Sequence, residues 1–143
     1  GGVQVMDPVP ARLARPIDVQ AVVERETEEL QRREQAYRPG MPPLALRGRN
    51  VLLVDDGLAT GATMEAAVRA VRQLHARRVC VAAPVGSASA AAPLRPLVGT
   101  LVLGAEARPL GAVGVWYRDF PQCTDEEVLA LLEQARHAEA IEH

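Results

Sequence analysis

The feature that most constrains this chain is the thirteen-residue stretch Val51–Thr63, which reads VLLVDDGLATGAT. Four apolar residues end at two adjacent aspartates, and a loop rich in glycine and threonine follows. Beyond the loop, apolar residues recur at the spacing of one helix face: Met64, Ala67, Val68, Val71 and Leu74. The order is therefore a buried strand, an acidic pair, a tight loop and a helix. Ligands bind in open parallel sheets where such strands end.

The parts of this stretch suit a sugar phosphate. Its two glycines let the loop backbone turn tightly and approach a ligand. The N–H groups at the start of the helix favour a phosphate, and Thr60 and Thr63 add hydroxyl donors. Asp55 and Asp56 cannot bind a phosphate when ionised, but they could bind two sugar hydroxyls or a magnesium ion with its waters. A phosphate beside a pair of hydroxyls describes a ribose 5-phosphate.

The stretch resembles the phosphoribosyl diphosphate signature of the type I phosphoribosyltransferases. That signature has an apolar strand, two acidic residues, a short spacer and then Thr-Gly-x-Thr, and all four parts are present here. The resemblance implies that Asp55 and Asp56 are catalytic residues that bind the ribose 2- and 3-hydroxyls. It implies that the 5-phosphate is bound by the loop residues Ala59, Thr60, Gly61, Ala62 and Thr63. It also implies Mg²⁺ as the cofactor.

Other proteins share parts of the pattern. A response-regulator receiver also begins with VLLVDD, but it needs a later Asp and then a Lys. A P-loop needs a Lys as well. No Asp lies between Asp56 and Asp119, and none of the 16 basic residues is a Lys. A plain buried strand followed by a capped helix remains the structural alternative, although it explains one Thr and not two adjacent carboxylates.

Composition limits the class of protein. The 143 residues are enough for one domain, and with 48% hydrophobic but 3% aromatic residues the core must be Ala, Val and Leu. A net charge of -2 argues against a general nucleic-acid partner, and no apolar run approaches the roughly 18 residues of a membrane helix. Cys80 and Cys123 have no metal-site spacing. We therefore expect a cytoplasmic protein with no nucleic-acid or membrane partner.

The pattern predicts a single three-layer α/β domain with a parallel sheet, similar to the type I phosphoribosyltransferase and Rossmann-like folds. Residues 1–50 are predicted as a peripheral strand, a charged helix and a linker, and residues 51–143 as the α/β core. The predicted strands are 3–6, a central strand at 51–55, 79–84, 98–103 and 113–117. The predicted helices are 18–37, the one after the central loop, 89–94, and a last one opened by the capping box at 124–127.

A second stretch, Val113–Phe120, resembles the Val-Gly-x-x-x-Asp-aromatic stretch of purine-salvage members of the family. The resemblance implies that Asp119 helps to position magnesium and pyrophosphate, whereas the plain alternative is an Asp in a surface turn before Pro121. Those relatives have a stacking aromatic residue where this chain has Gly111, and a base-reading Lys where it has Ser87. The acceptor base is therefore not predicted.

The resemblance implies transfer of phosphoribose from phosphoribosyl diphosphate to a nitrogenous base, with release of pyrophosphate. The family's first strands and pyrophosphate loop are not found before residue 50, so the chain is predicted to be the carboxyl-terminal part of such a protein. The alternatives are a non-catalytic ribose-phosphate-binding or regulatory module, or an inactive fragment. The expected partners are phosphoribosyl diphosphate or a ribose 5-phosphate nucleotide, and further copies of the chain in a homo-oligomer.

Overall fold

A computed structural model describes residues 16–141, with side chains described for residues 20–138. The strand predicted at residues 3–6 lies outside the described residues. In chain order the elements are α1 (Pro16–Tyr37), β1 (Asn50–Val54), α2 (Ala62–Gln73), β2 (Arg78–Ser87), α3 (Ala88–Leu94), β3 (Thr100–Ala107) and α4 (Asp125–Ile141). Two compact units contain them. The first unit is Leu44–Asp119, and the second combines residues 16–43 with residues 120–141.

The first unit is built on a parallel sheet in the order β1-β2-β3. This confirms the α/β class and the parallel strands. The predicted central strand is wrong in its position, because β1 is an edge strand of the described sheet and β2 lies in the middle. A continuous apolar run predicts a strand but does not tell how many neighbours that strand has.

The core of this unit lies on one face of the sheet. Helix α2 contributes Met64 and Val68, which are spaced one helical turn apart and are both buried. They pack with alternate residues of β2, such as Val79 and Val81, and with Leu94 of α3. Because side chains alternate along a strand, only every second residue of β1 and β2 can reach this core.

The opposite face of the sheet is exposed. The exposed fractions of Leu52, Val54 and Val102 are 63%, 69% and 55%. All four apolar residues that precede the aspartates were expected to be buried, but only Val51 and Leu53 lie on the covered face. Of the three predicted layers, the described part of this unit therefore contains the sheet and one layer of helices.

The strand predicted at residues 113–117 is wrong, since Val113–Trp116 forms a 3-10 helix. Its backbone is closed by short-range bonds from Val115 N to Ala112 O at 3.3 Å and from Tyr117 N to Gly114 O at 3.2 Å. The β-branched residues favoured a strand. Local turn bonds and the packing of Val113 against Val85, Ala107 and Leu110 prevailed over that preference.

The second unit pairs α1 with α4. Helix α4 begins with the predicted capping box, in which Thr124 N donates to the Glu127 carboxylate at 2.7 Å and Glu127 N donates to Thr124 Oγ1 at 3.2 Å. Asp125 then accepts bonds from Arg32 and from the Tyr37 hydroxyl, both at 2.6 Å. The last helix was expected in the α/β core, but its contacts place it with α1. None of the helices in residues 16–141 is long and apolar enough to cross a membrane.

Candidate functional site

The acidic pair lies in a short interruption of the pairing between β1 and β2. Val54 pairs with Ala82, and Asp55 N still donates to Ala82 O at 3.2 Å. The chain then leaves the sheet and returns at Leu58, which pairs with Gly86 in the same register. Leu58 is only 1% exposed, so it anchors the returning chain in the core. The acidic turn is therefore held at both ends by the sheet.

The electrostatics of this turn disfavour a second negative charge. Asp55 is half-buried and Asp56 is exposed. Partial burial raises the pKa of Asp55 above its ordinary value, and the neighbouring Asp56 charge adds to this, whereas the bond from Asp56 N to the Asp55 carboxylate at 2.9 Å opposes it. A cation or hydroxyl donors at this position would relieve the repulsion between the two carboxylates.

A segment near the end of the first unit holds the acidic turn from another side. The Tyr117 hydroxyl donates to Asp56 O at 2.6 Å. A Cβ atom on Gly57 would lie 2.6 Å from Val113 Cγ1, so only glycine allows this close packing. Trp116 Nε1 donates to Leu110 O at 3.0 Å and so ties the same segment to the preceding loop. Sequence reasoning did not predict the contact of Tyr117 with the acidic turn, because nothing local marks a contact between residues 61 positions apart.

The predicted phosphate loop forms the start of α2. Gly61 is the N-cap with φ 79° and ψ −2°, a left-handed conformation that favours glycine. Thr60 Oγ1 accepts a long bond from Ala62 N at 3.4 Å, and Thr63 is exposed in the first turn. The first turn of a helix has N–H groups without acceptors inside the helix, at the positive end of the helix dipole. This arrangement can bind an anion.

The loop lies against the start of α3. A Cβ atom on Gly61 would lie 2.9 Å from Ala90 O, which is a backbone atom and cannot move aside easily. The Ser87 hydroxyl donates to Ala59 O at 3.0 Å and accepts from Ala90 N at 3.0 Å. The short helix predicted at residues 89–94 is α3, which begins at Ala88 with Ser87 as its N-cap.

A cavity of about 560 Å³ opens beside the loop. Its walls come from Ala59 and Thr60, from residues 87–89, and from residues 107–111. No aromatic side chain is among these lining residues. The charged side chain in the wall is Arg108, which pairs with Glu106 at 2.9 Å. Ser87 and Gly111 both line this cavity. These are the two positions where the purine-salvage members described above carry a Lys and an aromatic residue.

The predicted metal residue, Asp119, is an exposed residue at the end of the first unit. The chain has four residues between Gly114 and Asp119, one more than the family stretch that it resembles. Within the residues that the structure describes, no three or more His, Cys, Asp or Glu residues are placed to hold a metal ion. The role of Asp119 therefore stays a prediction.

Comparison with known proteins shows the family to which this chain is similar. The family model described as "Phosphoribosyl transferase domain" matches residues 1–98. The chain belongs to the phosphoribosyl transferase domain family. Proteins from two strains of Mycobacterium tuberculosis, CDC 1551 / Oshkosh and H37Rv, are each 39% identical to it over 115 residues, and both are provisionally named phosphoribosyl transferases. The crystal structure of TT1426 from Thermus thermophilus is similar, with a TM-score of 0.70 and 41% identity.

The M. tuberculosis proteins and TT1426 are longer than the chain. The matches cover 80% of the chain but 26% of each M. tuberculosis protein, and the similarity to TT1426 covers 90% of the chain and 61% of that protein. The family membership therefore rests on a shared domain, of which the loop at residues 55–63 is a part.

Proposed function

We propose that this domain binds phosphoribosyl diphosphate or a ribose 5-phosphate nucleotide, and that the protein to which it belongs transfers phosphoribose to a nitrogenous base with release of pyrophosphate. The observation that carries the proposal is the placement of the acidic pair and the Thr-Gly loop at one end of β1, where the sheet, Tyr117 and Ser87 hold them together. Family membership supports the reaction class.

Each part of the site then has a role. The N–H groups of the first turn of α2 and the hydroxyls of Thr60 and Thr63 bind the 5-phosphate, where the helix dipole adds to their attraction. Asp55 and Asp56 accept bonds from the ribose 2- and 3-hydroxyls and fix the sugar ring. When the bond to pyrophosphate breaks, positive charge develops on the ring, and the two carboxylates stabilise it. Positioning and electrostatics together account for catalysis of this kind.

The donor set fits a magnesium ion that arrives with its ligand. Mg²⁺ is commonly bound by one or two carboxylates plus substrate phosphates, with waters completing the octahedron. Asp55 and Asp56 supply the carboxylates, and a bound cation would offset both the partial burial of Asp55 and the neighbouring Asp56 charge, which raise the pKa of Asp55. Bound Mg²⁺ would neutralise the pyrophosphate as it leaves. The described residues offer too few ligands to hold the ion alone.

The cavity beside the loop is the proposed place for the acceptor. Thr60 and Ala59 border both the phosphate loop and the cavity, so a bound ribose and a bound acceptor would be neighbours. The described residues of the wall include no aromatic side chain on which a purine could stack, which favours an acceptor that is not held by stacking.

The proposal is tested by calorimetric titration of ribose 5-phosphate, with plain ribose as the reference ligand. The paired change Thr60→Val and Thr63→Val should weaken binding of the phosphorylated sugar by about tenfold or more, because two hydroxyl donors to a charged group are lost. Thr27→Val is the matched control, since the Thr27 hydroxyl bonds to Val23 O in α1 of the other unit. Equal affinity of the double variant and the wild type would argue against this site. Binding without turnover by the full-length protein would favour the regulatory alternative.

A further inference from the structure

The Ser87 side chain joins two elements that both border the proposed ligand. It lies at the end of β2, where its hydroxyl donates to Ala59 O at 3.0 Å. The same oxygen accepts from Ala90 N at 3.0 Å, which caps α3. Its third partner is the Ser89 hydroxyl at 3.0 Å. Ser87 therefore links the phosphate loop to the start of the neighbouring helix.

The protons of this network can be assigned. A serine hydroxyl has one hydrogen and two lone pairs. The hydrogen of Ser87 is used by the Ala59 carbonyl, which accepts only. Its lone pairs accept from Ala90 N and, because the Ser87 hydrogen is already committed, from the Ser89 hydroxyl. All the bonding capacity of the Ser87 oxygen is used inside the protein, so it has none left to read a ligand in the cavity.

We propose that Ser87 is a positioning residue that holds the phosphate loop in its binding conformation through Ala59 and does not itself contact the ligand. This role rests on the function proposed above for that loop. It gives Ser87 a different task from the base-reading Lys that purine-salvage relatives carry at this place.

The surroundings explain why such a tie is needed. Ala59 and Thr60 are exposed, so little packing holds this part of the loop. Two residues after Ala59, the left-handed Gly61 must lie close to Ala90 O, the carbonyl of the residue whose N–H Ser87 caps. Ser87 therefore fixes the loop relative to the same residue that Gly61 approaches, and loss of its hydroxyl should free Ala59 while the buried Leu58 stays in place.

The first test needs no ligand. Hydrogen exchange is measured on the peptide that covers residues 58–65, in which the Leu58 and Glu65 amides are hydrogen bonded to Val85 O and Gly61 O. Ser87→Ala should raise exchange of the Glu65 amide by about tenfold, the change expected for loss of one hydrogen bond, while the Leu58 amide stays protected. Ser87→Thr keeps a hydroxyl that can cap a helix and should restore the slow exchange.

A matched control separates the effect of the bond to Ala59 O from the effect of the helix cap at Ala90 N. Thr124→Ala removes an equivalent N-cap oxygen, the acceptor of Glu127 N at 3.2 Å, from α4 in the other unit. It should lower the melting temperature through the loss of its cap, as Ser87→Ala does, but leave exchange at residues 58–65 unchanged. Equal exchange in the Ser87→Ala and Thr124→Ala proteins would overturn the proposal.

Titration with ribose 5-phosphate is the second readout. Ser87→Ala should weaken binding of the phosphorylated sugar about tenfold, with rescue by Ser87→Thr and no effect of Thr124→Ala. If Ser87→Ala loosens the loop but binds the sugar as tightly as the wild type, the positioning role is refuted. If the wild type itself does not bind ribose 5-phosphate, the proposed function fails, while faster exchange in Ser87→Ala would still establish the link between Ser87 and the loop.

Discussion

Replacing both carboxylates of the acidic turn, Asp55→Asn with Asp56→Asn, should remove ligand binding without harming the fold. Two like charges about 4 Å apart repel by about 4 kcal/mol at an effective dielectric constant of about 20, and by about 1 kcal/mol in water. Because Asp56 is exposed, the lower figure is the better guide. The side-chain amide introduced by Asp55→Asn could still accept the bond from the N–H of residue 56, which the Asp55 carboxylate accepts at 2.9 Å in the wild type.

We therefore expect the double variant to be as stable as the wild type or up to about 1 kcal/mol more stable, which is a rise of about 4 °C in melting temperature. The raised pKa of Asp55 gives this gain a pH dependence. A raised folded-state pKa means that stability is lost as the pH rises and Asp55 ionises. The part of the gain that comes from Asp55 should disappear below its unfolded pKa of about 3.8.

The assay is thermal melting of the apo proteins, together with titration of phosphoribosyl diphosphate with and without Mg²⁺. Loss of two charged acceptors for sugar hydroxyls should weaken binding by at least about a hundredfold. Asp125→Asn is the control, because the pKa of Asp125 is lowered by bonds from Arg32 and Tyr37. That change should destabilise the protein at neutral pH and leave binding unaltered. A large drop in the melting temperature of the apo double variant would refute the reasoning and make the aspartates structural.

Three further outcomes are expected. The exposed face of the described sheet, in which β1 is an edge strand, should make the chain self-associate, and Leu52→Ser with Val54→Ser should reduce the mass measured by light scattering; a monodisperse wild-type monomer at high concentration would contradict this. Gly61→Ala should lower the melting temperature more than Gly48→Ala. Both glycines have positive φ, but a Cβ atom at Gly48 meets nothing within 4 Å, whereas one at Gly61 would lie 2.9 Å from Ala90 O. Equal decreases would show that the clash with this α3 carbonyl does not contribute. Arg32 and Arg33 lower the pKa of Glu29 from 4.5 to about 2, so the stability that this group contributes above pH 4.5 should be lost as the pH falls to 2. When melting is followed across that range, Glu29→Gln should lose less stability than the wild type.

The central stretch was predictable because its signals are local. An apolar run, an acidic pair and a glycine-threonine loop lie within thirteen residues, and the structure has β1, the turn and α2 in that order. The capping box of α4 was predictable for the same reason, since both of its bonds join residues three apart. Short-range chemistry of this kind can be read without knowing the rest of the fold.

The misses all depend on distant partners. The position of β1 at the edge of the described sheet depends on which strands lie beside it, and its own sequence does not contain that information. Val113 and Tyr117 contact the acidic turn from far along the chain, so an apparent strand is a 3-10 helix that supports the site. The short helix after Ser87 was predicted, but the bond from Ser87 to the Ala59 carbonyl needed the two loops to be placed side by side.

The return of the chain to the sheet at Leu58 limits how the site can be re-engineered. Val54 and Leu58 keep the same register against β2, so the number of residues between them is set by the sheet as well as by any ligand. One residue added or removed there would shift Leu58 away from Gly86 and take a fully buried side chain out of the core. Designed changes of specificity are therefore better placed at residues 108–111 in the cavity wall, which follow the last pair of β3 with β2 and whose number no strand register fixes.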